Sequence, residues 1–145
     1  VRGVLGAAKL HGIQVDVVDC NVLSGEVATT KTYNRFLEVI KAGLTFTALL
    51  GISGESIQGA INACHNCKVR IPEELSVVAI ACERMTEISS PPLDTVAADL
   101  SGQLEAALAM IGRMTAPSRN HFHEEVYLQT GLIERGSVLD ISSNK

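Results

Sequence analysis

Residues 47–81 read TALLGISGESIQGAINACHNCKVRIPEELSVVAIA. Two short apolar runs, 47–52 (TALLGI) and 75–81 (LSVVAIA), flank a segment with helical spacing. Within it Ile57, Ala60, Ile61 and Cys64 recur at i, i+3, i+4 and i+7, which puts them on one face of a helix predicted over 56–63. Short apolar runs bounded by turn residues are characteristic of strands buried in a parallel sheet. Strand, helix, strand in this order predicts an α/β fold with a doubly wound parallel sheet.

The pattern continues on both sides. Residues 32–42 put Phe36, Val39 and Ile40 on one helical face, with Gly43 as the stop. Residues 4–10 read as the end of a helix halted by Gly12. Residues 100–111 form a further helix with Leu100, Leu104, Ala107, Leu108 and Ile111 on one stripe. Alternation at 13–19 (IQVDVVD) predicts another strand, and 126–133 (VYLQTGLI) a last one with Gly131 as a bulge. Residues 89–92 (SSPP) read as an internal linker.

Composition narrows the class. With 145 residues, 46% of them hydrophobic and 19% charged, the chain is long and apolar enough for one packed core. No apolar run reaches the length of a membrane span, so no membrane partner is expected. A net charge of −4, scattered Lys and Arg, and 3% aromatic residues argue against nucleic-acid binding by this segment itself. The first residues lack both an initiator Met and a signal-peptide core, so the chain is expected to be cut from a longer one. Cys20, Cys64, Cys67 and Cys82 are then expected as reduced thiols in a cytoplasmic protein.

In open α/β sheets, ligands bind beyond the carboxyl ends of strands. That rule selects residues 20–29, the loop Ser53-Gly54-Glu55, and the loop Ala81-Cys82-Glu83. Ser53 and the free N–H groups of the following helix could hold a hydroxyl or an anion. The simpler reading of Ser53 is a helix cap.

Several motifs in order carry a resemblance. Residues 71–81 (IPEELSVVAIA) resemble the signature V-P-E-D-V-S-V-V-G-F-D, and 91–96 (PPLDTV) resemble P-P-L-T-T-V. Asp99 and Ala107 match the start of the helix that follows. Residues 132–137 (LIERGS) look like a closing L-x-x-R-x-S, with Arg135 on its Arg. Thr47-Ala48 and Gly59-Ala60 fit the frame of T-A-I-x-x-x-N-D-x-x-A-x-G-A, while Gly3, Ala7 and Gly12-Ile13 resemble the end of R-x-x-G-F-x-x-A-L-x-x-x-G-I. Together these resemble the lactose-repressor/galactose-repressor (LacI/GalR) family of bacterial transcription regulators.

The resemblance implies a periplasmic-binding-protein-like type I fold of two α/β subdomains. Residues 1–97 and 120–137 would belong to the second subdomain, and the helix within 98–119 to the first. The DNA-binding headpiece would lie outside this chain. The implied function is to bind a small-molecule effector, a sugar or other metabolite, and so control operator DNA binding by a homodimer, without a cofactor or an enzymatic step. The effector-contacting positions would be Val27, Ser53, Gly54, Glu55, Ala81 and Glu83. Ser53-Gly54 replaces the family's Asn-Asp, Ala81 replaces an Asp, and Val27 stands near an aromatic position. These residues cannot offer the donors and acceptors of an amide–carboxylate pair. Burying a sugar hydroxyl without a partner costs about 1–3 kcal/mol. A different metabolite is therefore implied, or Glu55 and Glu83 supply the contacts, or the site has lost its ligand.

Two further clusters have simpler readings. Cys64-His65-Asn66-Cys67 is a C-x-x-C, but it sits at a helix end without a second ligand pair; Cys64 is expected in the core and Cys67 at the surface, with no metal. His121 and His123 fall at i, i+2 ahead of the last strand and are expected to be solvated. The alternatives to a regulator are a transport-type periplasmic solute-binding protein, which would need an export signal, and a thiol or metal enzyme built on these clusters.

Overall fold

The computed structural model describes residues 1–115 and 125–140. Along the chain lie α1 (Arg2–Leu10), α2 (Ala28–Ala42), β1 (Ala48–Gly51), α3 (Gly54–Asn66), β2 (Ser76–Ala81), α4 (Glu83–Glu87), β3 (Asp94–Ala97), α5 (Leu100–Met114) and β4 (Gly131–Ile133). The sheet order is β1-β2-β3-β4. The first three strands run parallel, and β4 returns antiparallel to β3 with Thr95, Val96 and Ala97 opposite Ile133, Leu132 and Gly131. The fold class and its parallel-dominated sheet are those expected from the sequence.

The core forms where α3 covers the sheet. Ile57, Ala60, Ile61 and Cys64, the face read from the sequence, are all buried, and they meet Val77 and Ala79 of β2 and Leu75 and Leu93 beside it. Phe36 of α2 closes the cluster. The two helices approach so closely that a Cβ on Gly59 would collide with the Thr29 carbonyl oxygen and lie 2.9 Å from the Tyr33 nitrogen. Alternate residues of β2 point into this core, while Ile80 stays exposed.

A second device fastens the end of the chain to the sheet. Ser137 Oγ donates to the Val77 carbonyl and accepts from the Asp94 N–H at 2.7 Å, and Val77 N–H donates to the Ser137 carbonyl at 2.8 Å. Asp94 Oδ1 accepts from the backbone N–H groups of Arg135, Gly136 and Ser137 at 2.6, 2.8 and 3.1 Å. Gly136 turns the chain at φ +91°, a conformation side-chain-bearing residues rarely adopt.

Several expectations need correction. Residues 13–19 form no strand: Ile13, Val15 and Val17 are exposed. Alternation sets which way side chains point, but a strand exists only when its N–H and C=O groups pair with a neighbouring strand, and among the described residues none pairs with this segment. The last strand covers Gly131–Ile133 rather than 126–133, and Gly131 pairs in register with Ala97 instead of forming a bulge. Residues 89–92 are not a loose linker. Ser89 is buried and donates to the Met85 carbonyl at 2.9 Å, and Leu93 N–H donates to the Thr86 carbonyl at 2.9 Å. The elements β3 and α4 were not anticipated. His121 and His123 lie outside the described residues.

Candidate functional site

The carboxyl ends of β2 and β3 open into a groove of about 590 Å³. One wall is the turn from β2 into α4, with Cys82, Glu83, Arg84 and Glu87. The other runs from Ala97 through Asp99 to Ser101, where β3 gives way to α5, and Gly131 and Ile133 of β4 close one side. Its size falls in the range of pockets for small metabolites, and its position is where open parallel sheets bind them.

Local chemistry sets each wall. Cys82 is extended (φ −63°, ψ 131°), which turns the chain from β2 into the short α4. Thr86, buried in that helix, donates its hydroxyl to the Glu83 carbonyl at 2.8 Å. Opposite, Asp99 caps α5: its Oδ1 accepts from the Gly102 N–H at 2.9 Å. A Cβ on Gly102 would crowd that carboxylate. One Asp99 oxygen is thus committed to the helix.

Charge in the groove is mixed. Glu83, Glu87 and Asp99 supply carboxylates. Arg84 supplies a guanidinium with no ion-pair partner among the described residues. Glu83 Oε1 accepts from Arg135 Nη2 at 3.3 Å. The guanidinium of Arg84 and these carboxylates together offer both donors and acceptors to a polar ligand.

The sequence-predicted positions divide. Glu83 lines the groove. Ser53, Gly54 and Glu55 stand one strand away, at the first turn of α3, where Ser53 Oγ accepts from the Ser56 N–H at 3.5 Å as a long cap. Gly54 faces α4: a Cβ there would lie 2.9 Å from Met85 Sδ and 3.6 Å from Ala81 Cβ. The structure therefore brings Gly54, Ala81 and Met85 together, with the thioether filling the space above the glycine. Val27, the residue before α2, is exposed and lines no part of the groove. Sequence reasoning missed Arg84, Asp99 and Ser101 as groove groups, and Arg135 as the partner of Glu83. An Asp followed three residues later by Gly102, ahead of an apolar helical stripe, was a usable cap signal for the second wall.

Cys64 is buried in the core and Cys67 is half-buried beyond the end of α3. Burial pushes the Cys64 thiol up to about 11, with nearby Cys67 adding to the shift. A thiol held protonated in the core is a packing residue. All four cysteines are free, Cys82 being exposed in the groove. Among the described residues, no three His, Cys, Asp or Glu side chains are grouped to hold a metal. No helix among them is long and apolar enough to cross a membrane.

Comparison with known proteins agrees with this fold. The HTH-type transcriptional regulator MalR of Clostridium butyricum is 24% identical over 127 residues, covering 88% of this chain and 37% of that protein. A LacI-family regulator of Arthrobacter sp., solved in complex with lactose, superposes with a TM-score of 0.74 at 20% identity, covering 95% of this chain and 50% of that one. A sugar-binding LacI-family regulator of Escherichia coli, solved with phosphate, gives 0.72 at 20% identity, covering 94% and 48%. The chain thus spans between about a third and a half of the length of these relatives. The family model for the periplasmic binding protein-like domain matches residues 2–138, and the chain belongs to that family.

Proposed function

We propose that this chain is the effector-binding part of a LacI-type transcription regulator, and that a small polar metabolite binds in the groove between α4 and the β3–α5 turn. The observation that carries the reading is the groove itself: a metabolite-sized opening at the carboxyl ends of two parallel strands, lined by acids and by a guanidinium with no ion-pair partner among the described residues, in a chain of this family. In this reading the protein is cytoplasmic and not an enzyme. Operator DNA is held by a headpiece outside these residues, and a homodimer presents two headpieces to the two half-sites. The effector acts by changing how two subdomains close on each other.

The helix α5 belongs to the first subdomain in this reading. Support comes from its apolar stripe: Leu100, Leu104, Leu108 and Ile111 are all exposed, and the helix buries no residue. A helix with such a face requires a partner surface. Ser53, Gly54, Glu55, Ala81 and Val27 would contact an effector only if it extends beyond the groove toward β1.

Cys82 provides the test. In the full-length protein with the other accessible cysteines replaced, the rate of Cys82 modification is followed across a metabolite panel that includes lactose and inorganic phosphate. An effector is expected to protect Cys82 and to change operator affinity at the same concentration. A panel member that shifts operator affinity while leaving Cys82 fully reactive would place the effector elsewhere and overturn the groove assignment.

A further inference from the structure

We propose that Arg135 is the positioning residue of this groove: it holds the Glu83 carboxylate at the rim, where the second oxygen is left to accept from a hydroxyl or ammonium group of the ligand. The proposal rests on the groove being the effector site, and it adds a residue that does not line the groove.

Arg135 is placed unlike an ordinary surface cation. Its side chain is 13% exposed, whereas that of Glu83 is 60% exposed. Three hydrogen bonds locate it. Its backbone N–H donates to buried Asp94 at 2.6 Å, Nη1 donates to the carbonyl of fully buried Leu93 at 3.0 Å, and Nη2 donates to Glu83 Oε1 at 3.3 Å. The guanidinium is therefore fixed from behind, by the residue before β3, and presents its other nitrogen to the Glu83 carboxylate. A planar fork does both at once; a lysine ammonium is a point charge that cannot span the same two acceptors. Glu83 begins a five-residue helix, and Arg135 is its ion-pair partner. Without it an exposed glutamate samples many rotamers, and a ligand must bear the entropy of ordering it. With it, the acceptor is oriented before the ligand arrives.

The test uses the thiol beside Glu83 and needs no effector. In full-length protein with Cys82 as the reporting thiol, modification rates are measured with a dianionic aromatic disulfide and with a neutral dipyridyl disulfide. General loosening speeds both reagents alike, so the ratio of the two rates reads the charge next to Cys82. It is measured for the parent, Arg135→Met, Glu83→Gln and the double variant. Arg135→Met is expected to lower the anionic-to-neutral ratio by about twofold or more, the size of a screened unit charge at groove distances. In the Glu83→Gln background it should have a clearly smaller effect, because no carboxylate is released. Equal factors in the two backgrounds would show independent charges and overturn the proposal. Should Arg135→Met not fold, Arg135→Lys takes its place: a change in the ratio that depends on Glu83 supports the fork, and equal factors again overturn it. Because no ligand enters these rates, the outcome is separate from the protection experiment that judges the effector site.

Discussion

Asp94 joins two segments far apart in sequence through one carboxylate oxygen. Burial alone would raise its pKa, but the N–H groups of Arg135, Ser137 and Gly136, with the Ser137 hydroxyl, outweigh burial and hold the carboxyl below its ordinary value of 3.8. The folded state thus favours the charged form. Its contribution is fully present above the unfolded-state pKa and is lost as pH falls through the lower folded value. Asp94→Asn is expected to lower the unfolding free energy at pH 7 by about 2 kcal/mol, within the range for hydrogen bonds to a charged group. The gap between parent and variant should shrink as pH is taken below about 4. Urea unfolding at stepped pH checks this, and a gap that stays constant into acid would mean that the carboxylate charge is not what fastens the segment. The sequence made Arg135 legible as part of a motif, but not its partners. Asp94 and Glu83 lie far from it along the chain, and no spacing rule reports such a contact.

The helices α2 and α3 meet through the absence of a side chain at Gly59. Adding a methyl group there drives it into the Thr29 carbonyl and the Tyr33 nitrogen, which are backbone atoms and cannot rotate away. Gly59→Ala is expected to destabilise the protein by about 2 kcal/mol despite the better helix propensity of alanine, because overpacking outweighs a gain of about 1 kcal/mol. Thermal unfolding decides it: an unchanged or raised midpoint would show that the helices separate at no cost. The existence of α2, α3 and α5 was legible because each is long enough to display a 3.6-residue period. Of the elements that were missed, α4 has five residues, too few for a period to show, and β3 (DTVA) opens on two polar residues and so lacks the apolar run that marks the equally short β1 (ALLG). The candidate site inherited that gap. The strand-end rule found Glu83 because β2 was found, and it overlooked the Ala97–Ser101 wall because β3 was not.

At the scale of the whole molecule, α5 is the element with an unmet surface. Leu104 and Leu108 are 66% and 68% exposed, in line with Leu100 and Ile111. Contiguous apolar surface of this kind promotes association. The 145-residue chain on its own is expected to self-associate, and Leu104→Glu with Leu108→Glu to render it monomeric in sedimentation while leaving its unfolding midpoint nearly unchanged, since the stripe touches little else. In the full-length protein the same pair of substitutions should instead be strongly destabilising. If the double variant behaves alike in both contexts, the stripe has no partner in the longer chain.

Pairing of Ala97 with Gly131 gives residues 98–130 a peculiar standing. The chain departs and returns between two residues that stand opposite each other on antiparallel strands, so in topological terms β3 and β4 are a hairpin whose turn has been opened to admit everything between. The entropy of closing such a loop grows only logarithmically with its length, about 0.6 kcal/mol for each doubling. By that scaling alone, a change in the length of the excursion costs little in the closure entropy of the sheet that anchors it.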